Sequence, residues 1–118
     1  MGASMTLTIY HNPRCSKSRQ TLALLRERGA DLEIVEYLQN PPSLATLQSL
    51  AQMLGGARTM LRKGEAPYAE LGLSAADTPE RTLLAAMRSH PILIERPIVT
   101  DGRRAAIGRP PEAVLALL

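Results

Sequence analysis

Leu7-Thr-Ile-Tyr10 is the first apolar cluster, short and rich in β-formers, and it predicts a strand. His11-Asn-Pro-Arg-Cys15 follows without an apolar period, and Pro13 breaks regular structure there. From about Ser16 to Arg28 the spacing turns helical. Leu22 and Leu25, with Ala23 and Leu24 beside them, form an apolar face, and Gly29 stops the helix. Leu32 to Tyr37 reads Leu-Glu-Ile-Val-Glu-Tyr, a second strand, so the first third of the chain is a βαβ unit.

Asn40-Pro-Pro-Ser43 interrupts the pattern, and Ser43 is placed to cap a helix. Leu44, Leu47, Leu50, Ala51 and Leu54 then recur at helical spacing until Gly55-Gly56. Thr59 to Arg62 continues as a short helical piece, and Glu70-Leu-Gly-Leu73 marks a helix end or turn. Thr78-Pro79-Glu80 predicts a further helix, with Thr78 as cap and Pro79 at its first position. Leu83, Leu84 and Met87 mark its buried face. Residues 43–89 thus read as a helical block. Strands return at Pro97–Thr100 and Ala105–Ile107, around the hairpin signal Asp101-Gly-Arg103. Gly108-Arg-Pro-Pro111 leads into a last helix carrying Val114, Leu115 and Leu118. The expected fold class is α/β. It is a thioredoxin-like fold with a helical insertion between an N-terminal β-α-β unit and a C-terminal β-β-α unit. A single domain is expected over residues 1–118, with Met1 to Ser4 as an added leader and Met5 as the natural start.

Composition narrows the chemistry. The 118 residues are 45% hydrophobic and 21% charged, with three Tyr and no Phe or Trp, so the core rests on aliphatic side chains. The net charge is +3, without a run of five basic residues and without aromatics among the basic ones. That argues against nucleic acid and for a small oxyanion held by converging arginines. No apolar run reaches membrane-spanning length, and the start of the chain does not read as a signal peptide. One cysteine precludes an internal disulfide and a multi-cysteine zinc site, and favours a reducing, cytoplasmic compartment.

That cysteine, Cys15, falls just before a helix N-terminus. Unpaired N–H groups there stabilise a thiolate and bind anions. Arg14, Lys17 and Arg19 add positive charge, Ser16 and Ser18 add hydroxyls, and His11 lies four residues upstream. The opposing reading is a small buried hydrophobe, with His11 structural and the serines merely capping. Three later arginines have suggestive settings. Arg62 lies near a helix end, Arg96 just before a strand and Arg109 between a strand and the last helix. In a thioredoxin-like sheet the Arg96-Pro97 loop passes beside the first β-α loop, and Pro97 is a candidate cis proline. Taken alone, each arginine reads better as a solvated surface residue.

Five segments taken in order resemble the glutaredoxin-dependent arsenate reductase family. They are Ile9-Tyr-His-Asn-Pro-Arg-Cys-Ser-Lys-Ser-Arg19, Tyr37-Leu-Gln-Asn-Pro-Pro-Ser43, Leu61-Arg-Lys63 with Pro67-Tyr-Ala-Glu-Leu-Gly-Leu73, His90-Pro-Ile-Leu-Ile-Glu-Arg-Pro-Ile-Val99, and Gly108-Arg-Pro-Pro-Glu112. The resemblance implies that Cys15 attacks arsenate as a thiolate. Glutathione then attacks the adduct as co-substrate, glutaredoxin reduces the mixed species, and arsenite leaves. It also implies that Arg62, Arg96 and Arg109 bind the oxyanion, that His11 helps hold the thiolate, and that Ser18 hydrogen-bonds near it. Neither a bound cofactor nor a metal is implied. The partners expected are arsenate and glutaredoxin, with no nucleic acid and no membrane, and a monomer is expected. The sequence is closer to the short-chain branch of the family, and it sets Arg14 and Lys17 beside the nucleophile, where smaller residues are usual in longer members. Two alternatives stand beside this reading. One is a thioredoxin-fold regulator binding a protein such as RNA polymerase, although the Cys-x-x-Cys switch reads Cys15-Ser-Lys-Ser18 here. The other is a glutathione-linked thiol reductase acting on another substrate.

Overall fold

β-Branched and aromatic residues, alternating in direction, make Thr6–His11 the first strand, β1. In the computed structural model, which describes residues 6–118, its Leu7 and Ile9 are almost wholly buried. The expectation for Met1 to Ser4 lies outside the described residues. α1 (Ser16–Glu27) leads to β2 (Asp31–Glu36), which pairs parallel with β1. Gly29 ends α1 as expected. Its φ is +73°, its N–H bonds the Arg26 carbonyl, and the Ala30 N–H reaches back to Leu25, which closes a Schellman motif. β3 (Ile98–Thr100) pairs antiparallel with the other edge of β1, and β4 (Ala105–Ile107) pairs antiparallel with β3, so the sheet order is β2-β1-β3-β4. In the hairpin, Gly102 takes φ +93°, and Asp101 Oδ1 accepts the N–H groups of Arg103 and Arg104.

The chain divides into two compact units. One holds residues up to Asn40 and from Arg96 onward, and the other holds Pro41–Glu95. In the first, Leu7, Ile9, Leu22, Leu25, Val99, Val114 and Leu117 form the core. Burying each such aliphatic side chain stabilises the fold by about 1.5–3 kcal/mol.

The last helix differs from expectation. Residues Pro111–Leu117 wind as a 3₁₀ helix, whose three-residue repeat buries Pro111, Val114 and Leu117. Leu118 is 57% exposed.

The second unit contains α2 (Leu44–Leu54), a 3₁₀ turn (Ala57–Met60), α3 (Ala66–Glu70), α4 (Glu80–Ser89) and a second 3₁₀ turn (Pro91–Leu93). Ser43 caps α2, its Oγ accepting the Thr46 N–H at 3.1 Å. Thr78 does not cap α4. Its hydroxyl donates to the Ala75 carbonyl, and Pro79 takes the N-cap position instead. Leu47, Leu50, Leu83, Leu84 and Met87 are buried as their spacing predicted. Leu44, in the first turn of α2, is half exposed.

Candidate active site

Asn12-Pro13 starts the turn that delivers Cys15. Asn12 Oδ1 accepts the Arg14 N–H at 2.9 Å, and the Asn12 carbonyl accepts the Cys15 N–H at 3.0 Å. The sequence reading did not single out Asn12, although Asn before Pro is a turn-initiating pair. Cys15 becomes the N-cap of α1 in extended conformation (φ −94°, ψ 123°), and its carbonyl takes the first helical bond, from Arg19. Its sulfur is partly buried.

Burial by itself pushes the Cys15 thiol up. The Ser18 backbone N–H, the Arg96 guanidinium, the Lys17 backbone N–H and the Arg109 charge outweigh it, so the pKa lies below the ordinary thiol value. Arg109 Nη2 stands 3.5 Å from Sγ, and its Nε donates to the Arg96 carbonyl at 2.9 Å, which ties the two arginine segments together. The Arg96–Pro97 peptide is cis, as expected, and Arg109–Pro110 is cis as well. Alkylation of native Cys15 by iodoacetamide is therefore expected to reach half its maximal rate at a lower pH than that of an unperturbed thiol measured alongside. Arg109→Leu, which removes a positive charge beside the sulfur, is expected to move that midpoint up. An unshifted midpoint in the native protein would count against activation.

His11 and Ser18 lie under the same turn. His11 Nδ1 is 2.6 Å from Ser18 Oγ, and the Asn12 N–H donates to that oxygen at 3.0 Å; both side chains are buried. Burial pushes the His11 pKa down, Glu36 pulls it up, and Arg26 and Arg19 push it down again, leaving it below the ordinary histidine value. The imidazole is then neutral at neutral pH and brings no full charge to the sulfur. Its contact runs instead to Ser18, the residue whose backbone N–H does lower the Cys15 pKa.

Cys15, His11, Ser18, Arg96 and Arg109 all belong to the sheet unit, whereas Arg62 belongs to the helical unit. There the Arg62 N–H donates to the Leu93 carbonyl at 2.7 Å. Its guanidinium is forked between Glu65 Oε2 at 3.2 Å and Glu95 Oε1 at 2.9 Å. The preceding turn is held by Glu80, whose Oε1 accepts the Ala57 N–H at 2.8 Å.

Gly108, quoted in the sequence only as part of a motif, proves structural. A Cβ there would lie 2.8 Å from Pro97 Cγ and closer still to Thr21 Oγ1. Among the described residues, no three His, Cys, Asp or Glu side chains come together as a metal site. No described helix is long and apolar enough to cross a membrane.

Comparison with known proteins gives this geometry a family. Residues 10–117 match the ArsC family. An uncharacterised Escherichia coli protein named YfgD is 50% identical over 112 residues, covering 93% of this chain and 94% of that one. A Haemophilus influenzae protein named arsenate reductase is 48% identical over 116 residues, covering 97% of this chain and 100% of its own. The solved structure of an arsenate reductase from Vibrio cholerae superposes with a TM-score of 0.93 at 47% identity, covering 98% of this chain and 100% of that one. With a match running from β1 to the C-terminal 3₁₀ helix, and relatives this similar along nearly their whole length, the chain belongs to the ArsC family.

Proposed function

We propose that this protein reduces arsenate to arsenite, with Cys15 as the nucleophile and with glutathione and glutaredoxin as the source of electrons. The observation that carries the reading is a cysteine whose pKa is lowered and whose sulfur lies 3.5 Å from the Arg109 guanidinium. The names of the Haemophilus and Vibrio relatives supply the substrate.

Arsenate is largely dianionic near neutral pH, so a thiolate approaches it only where cations neutralise both charges. Arg96 and Arg109, in the same unit as the sulfur, supply that charge in this reading. The Cys15 thiolate bonds to arsenic, and an arsenate oxygen, once protonated, leaves as water. A glutathione thiolate then attacks the adduct. The two sulfurs join as a disulfide, and the electron pair of the sulfur–arsenic bond stays on arsenic, which departs as arsenite. One cysteine supplies only one of the two thiols this requires. The second must come from outside, and glutaredoxin reduces the mixed disulfide to restore Cys15. His11 and Ser18 hold the turn whose N–H groups face the sulfur.

The test is arsenite formation from arsenate. Turnover is expected with glutathione and glutaredoxin together, and only a small fraction of it when glutaredoxin is omitted. If no arsenite forms above a protein-free control, the proposal fails.

A further inference from the structure

A cavity lies beside the turn that delivers Cys15, and the reaction described above leaves it unused. Its volume is about 150 Å³, the scale of a single amino acid, and it is lined by His11, Asn12, Pro13, Arg14, Glu36, Leu38 and Gln39. It adjoins the active-site loop, because Asn12, which lines it, also accepts the Cys15 N–H through its carbonyl. Two of the lining residues are fixed in place by the fold: His11 and Asn12 are 6% and 8% exposed and are hydrogen-bonded to Ser18 Oγ. The rest of the lining is chemically mixed. Arg14 offers a guanidinium, Glu36 a carboxylate, Gln39 an amide, and the exposed Leu38 an apolar wall. No ion pair or side-chain hydrogen bond to another described residue engages Arg14, Glu36 or Gln39.

A cation and an anion together in the lining of a cavity this small do not suit a simple oxyanion, which the carboxylate would repel. They suit a zwitterion, with an ammonium toward Glu36 and a carboxylate toward Arg14 and Gln39. We infer that this cavity binds the zwitterionic α-amino-acid end of the small thiol that attacks the Cys15 adduct. The inference rests on the proposed reaction, which needs an external thiol, and it adds the place and the recognition chemistry. Binding the thiol's far end beside the loop converts its attack into a reaction between neighbours. It also explains why bulky, charged Arg14 is placed next to a nucleophile.

The experiment uses the full chain and two probes. In turnover, kcat/KM for glutathione is compared with that for 2-mercaptoethanol, which has no zwitterionic end. Arg14→Ala and Glu36→Ala are each expected to lower the glutathione-to-mercaptoethanol ratio about tenfold, as losing one charge-assisted contact does. The effect should appear mainly in the glutathione KM. In equilibrium binding, S-methylglutathione, which cannot react, is titrated calorimetrically, and both variants are expected to weaken it by a similar factor. If arsenate turns over but both measurements are indifferent to Arg14 and Glu36, the thiol binds elsewhere and the inference is overturned while the reaction stands. If arsenate does not turn over but S-methylglutathione binding depends on both residues, the cavity assignment stands and the reaction falls. Failure of S-methylglutathione to bind the native protein would overturn the assignment outright.

Discussion

Cys15→Ser is expected to reduce arsenite production to the protein-free background, a loss on the order of 10⁴-fold or more. Two effects combine. A serine hydroxyl is not ionised at neutral pH, so the N–H groups of Ser18 and Lys17 and the charges of Arg96 and Arg109, which lower the cysteine pKa, have no anion to stabilise. More decisively, oxygen cannot replace sulfur in the electron transfer. Arsenic gains its two electrons as two sulfurs become a disulfide, and a serine ester of arsenate has no such path. The loss should therefore not be relieved at high pH, where a poorly ionised nucleophile alone would recover. Arsenate binding should survive, because Arg109 is anchored by the Arg96 carbonyl independently of Cys15. Calorimetric titration of Cys15→Ser with arsenate is expected to give an affinity within a few-fold of the native protein's. Arsenite formation by this variant at more than a trace of the native rate would remove Cys15 from the reaction.

What the sequence disclosed follows from how local each determinant is. Strand alternation in Leu7–Tyr10, the glycine stop at Gly29 and the Ser43 cap depend on neighbours a few residues away, and all appear where the pattern placed them. The C-terminal helix forms where the pattern places it, but its apolar residues permit two periods. Val114 with Leu115 and Leu118 fits an α-helix, whereas Pro111, Val114 and Leu117 fit the 3₁₀ winding actually formed. Thr78 was mistaken because a hydroxyl can bond backwards as well as forwards, and the Ala75 carbonyl was nearer to hand. At the candidate site, the position of Cys15 at a helix start was legible, and so was its kinship with Arg96 and Arg109. The neutral state of His11 was not. It depends on burial and on Glu36, Arg26 and Arg19, which only the folded chain gathers around the imidazole. Nor was the cavity beside Arg14, whose lining also takes in Glu36 at the end of β2 and Leu38 and Gln39 after it.

Gly108→Ala tests whether the arginines act through their exact placement or merely through their charge. Gly108 has no left-handed backbone that would demand glycine; the demand comes from space. An added methyl would press on the Pro97 ring and on Thr21, and neither yields easily. Pro97 is rigid and its carbonyl accepts the Gly108 N–H, while Thr21 is fully buried on α1 with its hydroxyl bonded to the Lys17 carbonyl. Overpacking of this kind costs about 1–3 kcal/mol of stability, which a folded domain can survive. The functional cost is larger. Relief of the clash must move the Gly108–Arg109 segment or the Arg96–Pro97 segment away from α1, and Cys15 sits at the head of that helix. A displacement near 1 Å takes Arg109 out of its 3.5 Å contact with the sulfur, and misplacement on that scale costs about 10²-fold in rate. The variant is therefore expected to fold, to lose activity on the order of 10²-fold, and to show its Cys15 alkylation midpoint at higher pH than the native protein. Thr21→Ala in the same chain removes Oγ1 and Cγ2, the two Thr21 atoms that crowd the new methyl, and is expected to restore part of both the rate and the midpoint. A folded Gly108→Ala protein with native rate and native midpoint would show that charge alone suffices and that the close packing of Gly108 against Thr21 and Pro97 has no part in the chemistry.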